Sequence, residues 1–172
     1  MKSVLLPFVM IFVFVLESII SDLVPIPFLS EQQTAVPRVL VLAIVLLAAY
    51  GSMKLAMLYG FIFGLLFDIV YTEVIGIYAF AFPVLAYFVF QALRVLHKNA
   101  IILIFLTELA IALLEFFVYG IYFLIGVTNM PLYSFTNGRL LPTLALNFVL
   151  ACLLIYPLKK IILSLQKEKM RD

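Results

Sequence analysis

The side chains that could do chemistry in this chain are a few ionisable groups set within long apolar runs. Each such group costs about 3 kcal/mol or more in hydrocarbon, so it requires a partner or a function. Glu17, Asp68 and Glu115 lie toward one end of their runs. Arg38 and Arg139 begin two other runs at the same level. These residues predict an ion-paired network, which acts either as a clamp between helices or as a site for an ion, a solute or a partner helix.

Four-residue spacing extends this network along two helices, because residues i and i+4 share a helix face. Glu108 and Glu115 lie on one face of their run, with Glu108 near the middle of the bilayer. In the last run, Arg139 is followed at this spacing by Thr143 and Asn147. If the two helices are antiparallel neighbours, Arg139 reaches Glu115. The predicted intramembrane polar network is Glu17, Arg38, Glu108, Glu115, Arg139 and Asn147.

A stripe of small residues marks the third apolar run, where Gly60, Gly64 and Asp68 recur every four residues. Glycines at this spacing let another helix approach closely within a membrane. One interpretation is close packing between helices of the same chain. The other is a groove that leads to the Asp68 carboxylate and receives a helix of another protein. We predict Gly60, Gly64 and Asp68 as this partner-helix groove.

Catalytic and metal-binding patterns are absent from the sequence. The single histidine, His97, stands in a basic turn without a cysteine or second histidine to share a metal ion. The single cysteine, Cys152, lies inside the last apolar run, so no intrachain disulfide is possible. There is no nucleophile elbow, phosphate-binding glycine loop or zinc motif. We therefore predict that the protein is not an enzyme and uses no cofactor, metal or nucleic acid.

The elements that must position these residues are transmembrane helices. The 172 residues are 67% hydrophobic and only 12% charged, with a mean hydropathy of +1.28, far from soluble usage. A bilayer core about 30 Å thick requires roughly 20 apolar residues in a helix. We predict one all-α membrane domain over residues 1–172 with six spans, and five as the alternative, since the second and third runs are short and form either a tight hairpin or a re-entrant pair. The runs are about 4–20, 39–51, 56–69, 74–93, 100–125 and 140–158.

Positive charge is distributed unevenly along these runs. Nine of the eleven Lys and Arg residues fall on one side of the predicted membrane, whereas Arg38 and Arg139 fall on the other. Because cytoplasmic connections are enriched in Lys and Arg, we predict cytoplasmic N- and C-termini and a cytoplasmic tail over residues 159–172. The nine residues are Lys2, Lys54, Arg94, Lys98, Lys159, Lys160, Lys167, Lys169 and Arg171.

The stretch YGFIFGLLFDIVYTEVIGIYAF, residues 59–80, resembles the MreD family of bacterial rod-shape proteins in its Gram-positive form. Members carry a third span of the type GFxxGLxxD followed by a short turn and LG. Here the first pattern covers residues 60–68, and Ile75–Gly76 stands in place of LG, with isoleucine for the commoner leucine. Glu73 replaces a frequent proline. The N-terminal LLPFVMIFVFVLESIISDLV, the turn ALRVLHKNA and the RLLPTLALN of the last span are also similar, so the resemblance covers essentially the whole chain.

The resemblance implies a non-enzymatic scaffold in the plasma membrane. Such proteins bind MreC, a single-span protein with an extracellular β-rich domain, and act with MreB, RodA and a class B penicillin-binding protein in lateral peptidoglycan synthesis. The implied fold is similar to the substrate-binding S-component of energy-coupling-factor transporters. That similarity supplies a competing hypothesis, in which the chain is a transporter subunit that binds a small solute among its outer polar residues.

Overall fold

The computed structural model describes residues 5–23 and 33–169, with side chains described to residue 165. Within these ranges the chain is helical and contains no strand. The predictions that concern Lys2 and Arg171, and the side chains of Lys167 and Lys169, lie outside the described part. The helices are α1 (Leu5–Leu23), α2 (Val39–Tyr50), α3 (Met53–Tyr71), α4 (Ile77–Val95), α5 (Ala100–Leu124), α6 (Leu132–Phe135) and α7 (Leu141–Lys169).

Five helical segments are long and apolar enough to cross a bilayer: α1, α3, α4, α5 and the stretch Leu132–Leu165. This last stretch joins α6 to α7 through a π-helical turn, Thr136–Leu140. Large hydrophobic side chains cover the outside of these helices, for example Phe8, Phe88 and Leu153, which are more than half exposed. An apolar exterior on a helical bundle is what lipid requires. The protein is therefore a polytopic all-α membrane protein, as the sequence predicts.

Helix α2 differs from the five membrane-spanning segments because it is short and buried on all sides. Every residue from Val39 to Ala49 is buried, and α2 packs against α1, α3, α4, α5 and α7. A helix of 12 residues is about 18 Å long, which is less than the thickness of the hydrocarbon core. Residues 33–38 precede it in a non-helical conformation. The second apolar run is thus the centre of the bundle, and the non-helical segment before it becomes buried at Pro37 and Arg38.

The closest helix pair is α3 with α4, which packs onto the two glycines of α3. A Cβ atom at Gly60 would lie 3.1 Å from the Phe82 carbonyl carbon. A Cβ atom at Gly64 would lie 2.9 Å from the Cα of Ala79 and would collide with the Tyr78 carbonyl oxygen. The predicted partner-helix groove at Gly60, Gly64 and Asp68 is therefore corrected: α4 of the same chain fills it. The small-residue spacing indicates close approach but does not specify which helix approaches.

Asp68 completes this hairpin, because its carboxylate caps the N-terminus of α4. It accepts hydrogen bonds from the backbone N–H groups of Gly76 (2.9 Å), Tyr78 (3.0 Å) and Ala79 (2.9 Å). The first N–H groups of a helix lack intrahelical partners, and a carboxylate also interacts favourably with the positive end of the helix dipole. Gly76 precedes α4 with φ +111°, which an L side chain rarely adopts. Asp68 is fully buried and has a structural role here.

We expect Gly64→Ala to destabilise the protein by about 1–3 kcal/mol, because the added methyl meets backbone and α4 must move away. Gly120→Ala is the matched control, since a Cβ there has nothing within 4 Å and Ala is the better helix former. Thermal unfolding of both purified variants in one detergent, followed by size-exclusion fluorescence, measures the difference. Equal melting temperatures for the two variants would show that the α3–α4 contact is looser than described.

Candidate functional site

A buried ion pair joins α2 to α5 at the point where the non-helical segment meets α2. Arg38 is the residue that precedes α2. Its Nε and Nη2 atoms donate to Glu115 Oε1 at 2.9 and 2.6 Å. The side chains of Arg38 and Glu115 are 2% and 1% exposed. Because an unpaired buried charge is costly, each of these two buried side chains requires the other as its counter-ion.

Further contacts fix the position of the Arg38 guanidinium. Its Nη2 also donates to the Tyr78 hydroxyl at 2.9 Å. The guanidinium carbon lies 5.3 Å from the centre of the Phe67 ring and 5.2 Å from that of Tyr78, within the range of cation–π attraction. Phe67 belongs to α3 and Tyr78 to α4. Arg38 therefore connects α2 with three other helices.

Arg139 supplies a second cation to the same carboxylate. Its Nε donates to Glu115 Oε2 at 2.9 Å, so each oxygen of Glu115 accepts from a different arginine. The Arg139 side chain is 37% exposed, in contrast to Arg38. The structure thus brings together Arg139 of the π-helical turn and Glu115 of α5. The sequence predicted this pair from the polar faces of the two helices.

The remaining polar side chains of this cluster satisfy backbone groups. Asn147 accepts from Arg38 N–H at 2.7 Å and donates to the Val36 carbonyl at 2.8 Å. Thr143 accepts from Val36 N–H at 3.2 Å. Glu17 of α1 accepts from Leu40 N–H at 2.7 Å, at the start of α2. Non-helical backbone at membrane depth requires such partners, because lipid provides none.

Glu108 lies apart from this cluster. Neither of its buried carboxyl oxygens has a hydrogen-bond partner among the described residues. Its inclusion in the predicted network is therefore corrected. Arg139 and Asn147 hydrogen-bond directly to the Arg38–Glu115 pair, and Glu17 binds the backbone of Leu40 two residues after Arg38. Glu108 is two helical turns from Glu115 on α5, and at that depth none of the described arginines bonds to it. Sequence spacing alone does not distinguish the two carboxylates.

Sequence reasoning also missed Phe67 and Tyr78, which hold the guanidinium. Tyr78 lies in the first turn of α4, two residues after Gly76. Its hydroxyl group in an otherwise apolar turn was the sequence feature that could have indicated a polar contact. Among residues 5–23 and 33–169, no three His, Cys, Asp or Glu side chains lie close enough to hold a metal ion. The arrangement of guanidinium, carboxylate and hydroxyl groups is suited to holding helices together and to hydrogen-bonding a polar ligand.

The fold and this site define a class: a polytopic all-α membrane protein whose helices converge on a buried ion-pair network. A family model described as rod shape-determining protein MreD matches residues 2–164. The rod shape-determining protein MreD of Bacillus subtilis (strain 168) is 45% identical over 172 residues, which cover 100% of this chain and 99% of that protein. No solved structure matches the chain, so the expected similarity to the S-component fold stays a prediction.

The chain therefore belongs to the MreD family of rod shape-determining proteins. This membership assigns it a role in rod-shape determination and agrees with its multi-pass membrane architecture.

We expect Glu115→Gln to lower the stability of the protein by about 3–5 kcal/mol, because the buried Arg38 cation then loses its counter-charge. Glu108→Gln, the same change seven residues earlier on α5, is the control and should have little effect, since that carboxyl group has no partner in the described structure. Melting temperatures of both variants in detergent provide the comparison.

A double variant separates charge pairing from packing. Leucine at both position 38 and position 115 removes both charges, so Arg38→Leu with Glu115→Leu should be less destabilised than the sum of the single variants. Additive losses would contradict a direct coupling between the two side chains.

Proposed function

We propose that this protein is a non-enzymatic scaffold of the bacterial rod complex that binds MreC and helps to position and regulate lateral peptidoglycan synthesis. Membership of the MreD family supports the rod-shape role. The observation that carries the binding proposal is a long apolar groove between α4 and α5 on the lipid-facing side of the bundle.

This α4–α5 groove consists of two adjoining cavities of about 210 and 360 Å³. Both are lined by Leu85, Phe88 and Leu113, so they form one continuous depression along the two helices. The first cavity extends to Phe80 and Phe117, toward the start of α4. The second extends to Ala92 and Leu106, toward its end. The groove therefore follows the direction of a transmembrane helix.

The lining of the α4–α5 groove is suited to helix docking. Helices associate in lipid through close packing at small residues, because the hydrophobic effect does not drive their association there. The groove contains the small side chains of Ala81, Ala92 and Ala110, over which another helix can approach closely. Phe88 and Leu113 are 58% and 49% exposed and stand at its rims. An incoming helix would bury these side chains, and this groove takes the place of the filled glycine stripe as the proposed docking face.

The proposed occupant is the single transmembrane helix of MreC. Through MreC the scaffold would act with MreB on the cytoplasmic side and with RodA and a class B penicillin-binding protein. The competing hypothesis, a solute-binding transporter subunit, is supported by the polar cluster around Arg38. The full-length similarity to a rod shape-determining protein favours the scaffold.

Site-directed crosslinking tests the docking face. In a Cys152→Ser background, Leu113→Cys and Leu109→Cys place thiols at the α4–α5 groove, whereas Phe61→Cys and Ile69→Cys place them on the exposed side of α3. We expect disulfide crosslinks to cysteines in the MreC helix from the groove positions and not from α3. Crosslinks confined to α3 would contradict the docking face, and co-purification without any of these crosslinks would move the contact elsewhere.

We also propose that both termini are cytoplasmic in the plasma membrane. Lys54 lies in the first turn of α3, Arg94 in the last turn of α4, and Lys159 and Lys160 in the distal part of α7. Successive helices reverse direction, so these basic residues share one end of the bundle. That end is cytoplasmic by the positive-inside rule.

Thiol labelling tests this orientation. In the Cys152→Ser background, Asn129→Cys in the loop before α6 should react with a membrane-impermeant maleimide in intact cells. Ser164→Cys near the end of α7 should react only after the cells are permeabilised. The reverse pattern would invert the orientation.

A further inference from the structure

A cavity of about 250 Å³ with several polar side chains in its wall lies beside the buried arginine, at the end of the bundle opposite the basic turns. Its lining includes Ser18 and Ser21 of α1, Tyr71 of α3, Tyr122 of α5, and both Arg38 and Arg139. Hydroxyl groups and two guanidinium groups are an unusual surface for a chain of this hydropathy. The volume is below the roughly 300–1,000 Å³ of drug-sized sites, so a small molecule or a lipid headgroup is the appropriate size.

Arg38 is incompletely satisfied within the described structure. A guanidinium has five N–H donors. Its Nε and Nη2 bond to Glu115 and Tyr78, but Nη1 has no hydrogen-bond partner among the described residues. The side chain is only 2% exposed, and a buried donor without an acceptor costs about 1–3 kcal/mol, more when it is charged. Nη1 itself is enclosed by protein, so an acceptor oxygen held in the cavity would meet Arg139, whose side chain is 37% exposed and makes only the Nε hydrogen bond to Glu115 among the described residues.

The electrostatic surroundings indicate the charge of that acceptor. Arg38 and Arg139 both line the cavity, and the N-terminus of α2 adds the positive end of its dipole. Both oxygens of Glu115 are already engaged by the arginines. Glu17 also lines the cavity and contributes acceptor oxygens, which oppose a multiply charged anion. The charges of the two arginines are matched by those of Glu115 and Glu17, so the cavity accommodates a group with no more than one negative charge, held by the N–H donors of Arg139 that make no hydrogen bond among the described residues.

We propose that this cavity binds a singly charged oxyacid group, a phosphodiester or a carboxylate, through the guanidinium of Arg139, beside the buried Arg38. The hydroxyls of Ser18, Ser21 and Tyr122 would contact the remainder of the molecule. Such a group could be carried by a lipid headgroup from the surrounding leaflet or by a small soluble molecule. The site lies away from the α4–α5 groove and does not depend on MreC binding.

Thermal shift of the purified full-length protein in neutral detergent tests this site, with four probes that separate the sources. The probes are dihexanoyl phosphatidylglycerol, glycerophosphoglycerol as the same headgroup without acyl chains, lactate as a small carboxylate, and dihexanoylglycerol, which lacks the phosphate. We expect a saturable rise in melting temperature with at least one of the first three. A phosphatidylglycerol shift at lower concentration than the headgroup alone identifies a lipid. Equal shifts, or a shift with lactate alone, identify a soluble ligand.

Variants connect the shift to the cavity. Ser21→Trp introduces a bulky ring at the exposed rim of the cavity and should weaken binding by about tenfold or more. Ser164→Trp, at an exposed position of α7 outside the lining, is the matched control and should bind as the wild type does. Glu17→Gln keeps an acceptor for Leu40 N–H and should bind the anionic probe more tightly, because a repulsive carboxylate is removed.

The proposal is overturned by any of three results. An equal shift with dihexanoylglycerol would mean that acyl chains bind without the oxyacid group. The absence of a saturable shift with all probes would show that the cavity binds no oxyacid group. Unchanged binding in Ser21→Trp, at an unchanged melting temperature without ligand, would place the ligand elsewhere.

Discussion

The structure depends on the requirement that polar backbone and charge inside the bilayer be satisfied within the protein. The central helix α2 is too short to span, and the non-helical segment before it enters the bundle, from exposed at residues 33–34 to buried at Pro37 and Arg38. Asn147 and Thr143 hydrogen-bond to the backbone of Val36 and Arg38, and Glu17 accepts from Leu40 N–H in the first turn of α2. Arg38 occupies the junction, and its charge is balanced by Glu115 of α5. Four helices are thereby fixed around one point.

The α3–α4 hairpin follows from a second constraint, which is how closely two backbones can approach. Gly60 and Gly64 remove the side chains that would separate the helices. Asp68 then caps α4, and Gly76 adopts the positive φ that the turn requires. The motif that carries the family resemblance is thus explained by packing and capping within the chain. The hairpin also positions Phe67 and Tyr78 against the Arg38 guanidinium, so the two constraints support each other.

The Arg38–Glu115 pair and the α3–α4 hairpin together determine where other molecules can bind. The glycine stripe and Asp68 are already in contact with α4 of the same chain. A partner protein must therefore bind to an outer surface such as the α4–α5 groove. The cluster around Arg38 is mostly satisfied internally, but the guanidinium of Arg139 keeps N–H donors without a partner in the described structure, beside the adjacent cavity. A scaffold role and a ligand site are therefore compatible, because they use opposite kinds of surface: one apolar and facing lipid, the other polar and facing the end of the bundle.

The sequence by itself determined the membrane class, the helical runs, the family resemblance and the set of ionisable residues that needed partners. Helical spacing was sufficient to anticipate that Arg139 and Glu115 could meet, because both stripes have a fixed period along their helices. Only the tertiary structure decided that α4 fills the glycine stripe, that Asp68 caps a helix, and that Glu108 and Glu115 have different surroundings. The physical reason is that periodicity specifies which face of a helix a residue occupies, whereas its partner depends on which helix lies against that face and at what depth.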